Sequence, residues 1–120
     1  MTTSDTSCTI APYFKMKSGQ ADACKKLCER FVERSRTEPG CLYYGFAFLD
    51  DVAFCREGYV NAEAALAHLD NVSDLLAEGQ KIMDLERLEI HGPAAELAKL
   101  RGPLAAINPQ FFTLEVGFRK

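Results

Sequence analysis

The fold class this sequence predicts is α+β: a split βαβ arrangement with an antiparallel sheet, extended by a C-terminal helix and strand. Three observations carry it. A helical apolar stripe ends at Pro39-Gly40, directly before a run of strand composition, Cys41 to Leu49. Asp50-Asp51 then turns that run into a second strand, Val52 to Val60. A further strand, Asp84 to His91, follows two helical stretches, so the order is βαββα(α)β.

Each element has its own reason. A short mobile polar tail precedes Thr9 to Met16, which has strand composition; Pro12 places part of that strand at an edge or a bulge. Ser18-Gly19-Gln20 opens the first helix, with Asp22 in its first turn, where a carboxylate suits the helix dipole. Cys24, Leu27, Cys28, Phe31, Val32 and Ser35 form its buried stripe, and Arg34 and Arg36 lie in its last turn. In the run 41–49, Leu42, Tyr44, Phe46 and Phe48 share one face and Cys41, Tyr43, Gly45, Ala47 and Leu49 the other. Both faces are apolar, so both need cover. One helical layer covers one face, and a second copy of the same sheet covers the other, which predicts a homodimer through sheet-to-sheet packing.

Asn61 caps a helix from Ala62 to about Asp70, and another turn or two runs from Ser73 to about Gln80. Gly92-Pro93 closes the Asp84–His91 strand, and Pro93 begins a short helix through about Arg101 that Gly102-Pro103 breaks. Phe112, Leu114, Val116 and Phe118 alternate onto one face, which predicts a half-buried final strand from Phe111 to Phe118.

Composition narrows the function classes. At 120 residues the chain is one domain, with a core at about 9–91 and an elaboration at about 92–120. The net charge is −3, from 14 Lys+Arg against 17 Asp+Glu, without a basic stripe, which argues against nucleic acid as a partner. The apolar runs fall well short of the roughly 20 residues of a membrane span. Residues 1–7 lack the basic-then-apolar layout of a signal peptide, and five cysteines cannot all pair within one chain. A reducing cytoplasm is the expected compartment.

The segment Ser35-Arg36-Thr37-Glu38-Pro39-Gly40-Cys41, then Phe54, Glu57 and Tyr59, then Glu63-Ala64-Ala65-Leu66-Ala67-His68-Leu69, resembles the antibiotic biosynthesis monooxygenase family of dimeric ferredoxin-like proteins, of dimeric α/β barrel type. The likeness spans roughly residues 9 to 91. It implies a pocket between the sheet and the helices. Its members include cofactor-independent oxygenases, quinol monooxygenases and haem-degrading enzymes. Tyr59 stands where the family commonly has Trp. The first strand lacks the Asn of haem-degrading members, and the stretch after Asn71 lacks their axial His, so haem degradation is disfavoured.

The candidate site residues follow. Glu57 and Tyr59 share a strand face with Cys55. A carboxylate on a covered face needs a partner, so Glu57 is either a polar wall or base for substrate, or a structural group paired with Arg56, Arg36 or a backbone amide. His68, with an ordinary pKa of about 6.5, could take a proton from a phenol near neutral pH, or could serve a local hydrogen bond or the dimer. Asn61 could orient a substrate oxygen, although capping already accounts for it. Tyr13, Tyr43 and Tyr44 could line a pocket or simply fill a core; Tyr44 is carried with Tyr59 and Asn61 as substrate-binding. Cys24 and Cys28 lie on the buried stripe without further ligands at zinc-like spacing, so no metal site is expected. His91 suits a turn better than a ligand role, and Cys55 as a nucleophile would have only His68 as a base. The resemblance implies cofactor-independent monooxygenation of a small electron-rich aromatic such as a hydroquinone, begun by His68 or Glu57. The alternative is a non-catalytic ligand-binding or structural dimer.

Overall fold

The computed structural model describes residues 3–120; Met1 and Thr2, the start of the polar tail, lie outside the described residues. The elements are β1 (Cys8–Met16), α1 (Ala21–Ser35), β2 (Cys41–Leu49), β3 (Val52–Tyr59), α2 (Ala62–Asn71), α3 (Ser73–Gly79), β4 (Met83–Gly92), α4 (Ala94–Arg101), a 3-10 turn (Ala105–Ile107) and β5 (Gln110–Thr113). The sheet order is β2-β3-β1-β4-β5. β5 runs parallel to β4 and every other pairing is antiparallel, which makes this the ferredoxin-like fold with one added edge strand.

The register puts the functional question on one line. Tyr44 pairs with Glu57, Glu57 with Ile10, Ile10 with Ile90 and Ile90 with Phe111, so these five residues form one row across the sheet. Glu57 is therefore the single carboxyl in an otherwise apolar and aromatic row. The next row on that face carries Phe46 and Cys55 on β2 and β3, and Pro12 and Leu88 on β1 and β4. Two buried clusters lie along the covered face. One joins Cys8, Ile10, Tyr59, Ile90 and the Leu97, Leu100 and Leu104 side chains of the C-terminal elaboration. The other joins Met16, Leu27, Phe31, Val72, Leu75 and Met83.

Several expectations need correction. β1 is a central strand, so Pro12 is not at an edge. It is accommodated beside an irregularity: the β1–β4 register shifts between Tyr13 and Phe14, and β1 has no paired partner on β3 at Ala11 and Pro12. The ladder to β3 is interrupted at the position where proline has no N–H to give. The final strand stops at Thr113, not Phe118, after Leu114 N–H donates to the Gly92 carbonyl at 2.7 Å. Beyond it Phe118 is 80% exposed, so the alternation there has no covered face within one chain. Within one chain the helical layer covers β2 at Tyr44 and Phe46, and Tyr43 and Leu49 are exposed on the other face, the one for which the sequence expects a second copy. The described part of the N-terminal tail is tied down: Thr6 Oγ1 donates to the Val60 carbonyl at 2.8 Å, and Asp5 accepts from the Ser7 N–H at 2.9 Å. Among the described residues, no helix is long and apolar enough to cross a membrane.

Candidate functional site

The covered face of the sheet and helices α1 to α3 enclose a pocket of about 180 Å³. Pro12, Phe14, Phe46, Leu69, Leu76 and Leu88 are among its walls, and buried Leu104 of the C-terminal elaboration closes one side. Its ionisable groups are concentrated at one place, where Tyr44, Cys55, Glu57 and His68 meet. Leu85, Ile107 and Gln80, which also line it, are exposed and mark its open side.

Strand geometry aims Glu57 and Tyr59 the same way, and Tyr59 Oη donates to Glu57 Oε1 at 2.6 Å. Glu57 is 3% exposed. Neither arginine suggested by the sequence reaches it: Arg56 stacks over the Tyr43 ring and Arg36 bridges to Glu33. The ionised form therefore lacks a cation, and burial pushes the carboxyl up to about 7, against the lowering pull of Tyr59 and Cys55. Burial beside Glu57 likewise drives the phenols of Tyr44 and Tyr59 and the thiol of Cys55 far above their usual ranges, so all three are neutral donors.

His68 comes from α2, whose start is fixed by the Asn61 side chain accepting from Ala64 N–H at 2.9 Å. A second acceptor seats the same helix end: Glu96 Oε1 takes the Ala62 N–H at 2.9 Å. His68 is 2% exposed. Its Nε2 lies 3.5 Å from Glu57 Oε1, and its Nδ1 lies 2.9 Å and 3.0 Å from the two oxygens of Glu38. Burial lowers its proton affinity, while Glu38 pulls the other way. Glu38 is held in turn by Asn71 Nδ2, which donates to it at 2.8 Å. Its loop can press this close to α2 because residue 40 is glycine: a Cβ there would lie 2.6 Å from Ala64 Cβ.

The structure thus gathers Glu57, Tyr59, His68 and Tyr44, with the His68 and Tyr44 rings 5.2 Å apart. Tyr59 stands behind Glu57 rather than on the pocket wall, and Asn61 is engaged as a cap. Cys24 and Cys28 stay on the buried stripe; the Cys24 thiol donates to the Ile82 carbonyl, and burial pushes Cys28 up to about 12. His91 is on β4, bonded to Glu89. Glu38 and Asn71 were missed as site residues. Glu38 stood in view only as part of the Glu-Pro-Gly turn, and nothing local marks it as the partner of a histidine 30 residues away.

Comparison with known proteins matches the overall fold of the chain to solved structures. MupZ from Pseudomonas fluorescens is similar over 95% of this chain and 94% of its own, at 45% identity and a TM-score of 0.91. A protein of Nitrosomonas europaea, provisionally named an antibiotic biosynthesis monooxygenase, matches 78% of this chain and 96% of its own at 17% identity, with a TM-score of 0.70. One of Chloroflexus aurantiacus with the same provisional name matches 73% and 93% at 24% identity, with a TM-score of 0.62. The last two show a shared fold. No family model and no curated protein matches the chain.

Proposed function

The chain belongs to the same family as MupZ, on the antibiotic biosynthesis monooxygenase-like fold, and from that premise we propose that it is an acid–base enzyme in which Glu57 exchanges a proton with an oxygen of an apolar substrate. The observation that carries this is a buried carboxyl, pushed up to about 7, in an apolar pocket and without a cation to hold its charge. Proton transfer is most effective when the group's pKa lies near the working pH, and Glu57 meets that condition. His68 stands beside Glu57, with Nε2 3.5 Å from Oε1; Tyr59 sets the direction of the Glu57 carboxyl; Tyr44 presents a neutral ring and hydroxyl to the substrate. Asn61 serves the site by fixing α2.

The finer reading is monooxygenation of a small electron-rich aromatic such as a hydroquinone, without a cofactor. Glu57 in its ionised form takes a hydroxyl proton, and the electron-rich anion reacts with oxygen, one atom entering the ring and the other leaving as water with electrons from the hydroquinone. The names of the fold neighbours favour monooxygenation in general and specify no substrate. A second reading has an observation of its own. Burial raises the Glu57 carboxyl to about 7, so a protonated form is available near neutral pH, which suits it to give a proton to a substrate oxygen in a reaction that consumes no oxygen.

Oxygen uptake with a panel of hydroquinones separates the readings. Uptake by the wild type that falls in Glu57→Gln supports monooxygenation. No uptake from folded protein with any of them removes that reaction. If, in addition, no substrate turns over, the chain is a binding or structural protein. We also propose a homodimer through the uncovered sheet face, supported by exposed Tyr43, Leu49 and Phe112 on a sheet covered on one side only. A monomer by light scattering at micromolar concentration would contradict it. Five unpaired cysteines support work in a reducing compartment such as the cytoplasm.

A further inference from the structure

A proton exchanged with substrate at Glu57 has to reach water, and a seated substrate would block the pocket as a route. Glu57 stands beside His68 Nε2, and the opposite nitrogen of that ring leads to Glu38, which does not line the pocket. We infer that His68 and Glu38 form a proton relay between Glu57 and solvent, with Asn71 holding Glu38 in line. This rests on the acid–base reading of Glu57.

The geometry is a line of three groups from three separate parts of the chain. Glu57 Oε1 faces Nε2 at 3.5 Å, and both Glu38 oxygens face Nδ1 within 3.0 Å. The Glu38 side chain is 11% exposed, so the outer end of the line is more open to water than Glu57 and His68, at 4% and 2%. The groups around the imidazole are consistent with this use. β3 contributes Glu57 and Tyr59, β2 contributes Tyr44, the α1–β2 loop contributes Glu38, and α2 itself contributes Asn71. Arg34 of α1 directs its guanidinium to the Asn71 carbonyl and to Asp74, and so does not neutralise Glu38.

The transfer balances without any other reactant. With the Glu38 carboxylate accepting the Nδ1 proton, Nε2 presents a lone pair to Glu57. Protonated Glu57 gives its proton to Nε2 as the Nδ1 proton passes to Glu38. The imidazole is neutral before and after, Glu57 becomes a carboxylate, and Glu38 becomes an acid that loses its proton to water. The ring is buried beside the Tyr44 and Tyr59 rings, with centroids 5.2 Å and 5.0 Å away, which opposes a turn of the ring as the reset. Returning a proton along the same line restores the starting tautomer. The relay therefore suits a reaction that removes a proton in one step and returns one in another.

Nitrogen NMR of 15N-histidine-labelled protein tests this without substrate. The chain has two histidines, and His91, bonded to Glu89 on β4, reports whether each variant is folded. In the wild type the His68 proton is expected on Nδ1, and the Nε2 signal is expected to shift as Glu57 titrates. Glu57→Gln should abolish that step. Glu38→Ala, which leaves Nδ1–H without its acceptor, should move the ring proton off Nδ1, lower kcat about tenfold or more and leave KM unchanged, and Glu38→Asp, which keeps a carboxylate, should restore the Nδ1 tautomer. A His68 Nε2 signal blind to the Glu57 titration, or an unchanged tautomer in folded Glu38→Ala, would overturn the relay. Full activity in Glu57→Gln would instead sink the acid–base reading, a result separate from the spectrum.

Discussion

Glu57 and Glu96 are both buried glutamates, 3% and 8% exposed, yet their surroundings push them in opposite directions. Glu96 accepts the Ala62 backbone N–H and faces Lys99 at 3.2 Å, so its charge is answered and its pKa is held below the ordinary value. Glu57 has a phenol and an imidazole instead, with no cation, and burial raises it to about 7. The first arrangement holds α4 against the start of α2. The second keeps a proton loosely bound beside a cavity. Burial of a carboxyl alone therefore does not identify a site; the sign of its charge compensation does.

The largest test of this contrast is catalytic. Glu57→Gln keeps the shape and the Tyr59 hydrogen bond but removes the exchangeable proton, and turnover should fall by about 10² to 10⁴. Glu96→Gln should leave turnover near wild type. Equal losses in the two variants would erase the distinction.

Stability against pH separates them next. Glu57 binds its proton more tightly folded than unfolded, so its contribution is fully present below about 4.5 and is lost as pH rises through about 7. At ~1.4 kcal/mol per tenfold, that loss is about 3 kcal/mol. Denaturant melts of the wild type should show this decline, and those of Glu57→Gln should not. Glu96 works the other way. Its contribution is present above the ordinary carboxylate range and is lost as pH falls through its depressed value.

Smaller effects refine the picture. Glu96→Ala leaves the Ala62 N–H without its acceptor and should cost about 1 to 3 kcal/mol in a denaturant melt at neutral pH. Tyr59→Phe removes the hydrogen bond that favours ionised Glu57, so the Glu57 midpoint should climb by roughly one pH unit, about 1.4 kcal/mol. A downward movement would mean that Tyr59 does not donate to Glu57.

What could be read in the sequence depended on how local the cause was. The Pro39-Gly40 stop, the Asp50-Asp51 turn and the Asn61 cap are short-range, and each stands where the residue pattern places it. Period-two spacing also put Glu57 and Tyr59 on one face correctly. The partners of Glu57 were another matter. Arg56 is adjacent in sequence, but alternation sends it to the opposite face, and His68 arrives only when α2 packs over the sheet. Glu38 and Glu96 had the same difficulty, since each finds its partner more than 25 residues away through helix packing. The final strand was overextended because alternation from Phe112 to Phe118 matches a strand, while pairing with β4 ends at Gly92.

Carbon-13 NMR of the Glu57 side-chain carboxyl across pH tests the central claim most directly. The account predicts a titration midpoint at about 7 in the folded protein. A midpoint near the ordinary value of about 4.5 would show an ionised, charge-compensated Glu57 and contradict it.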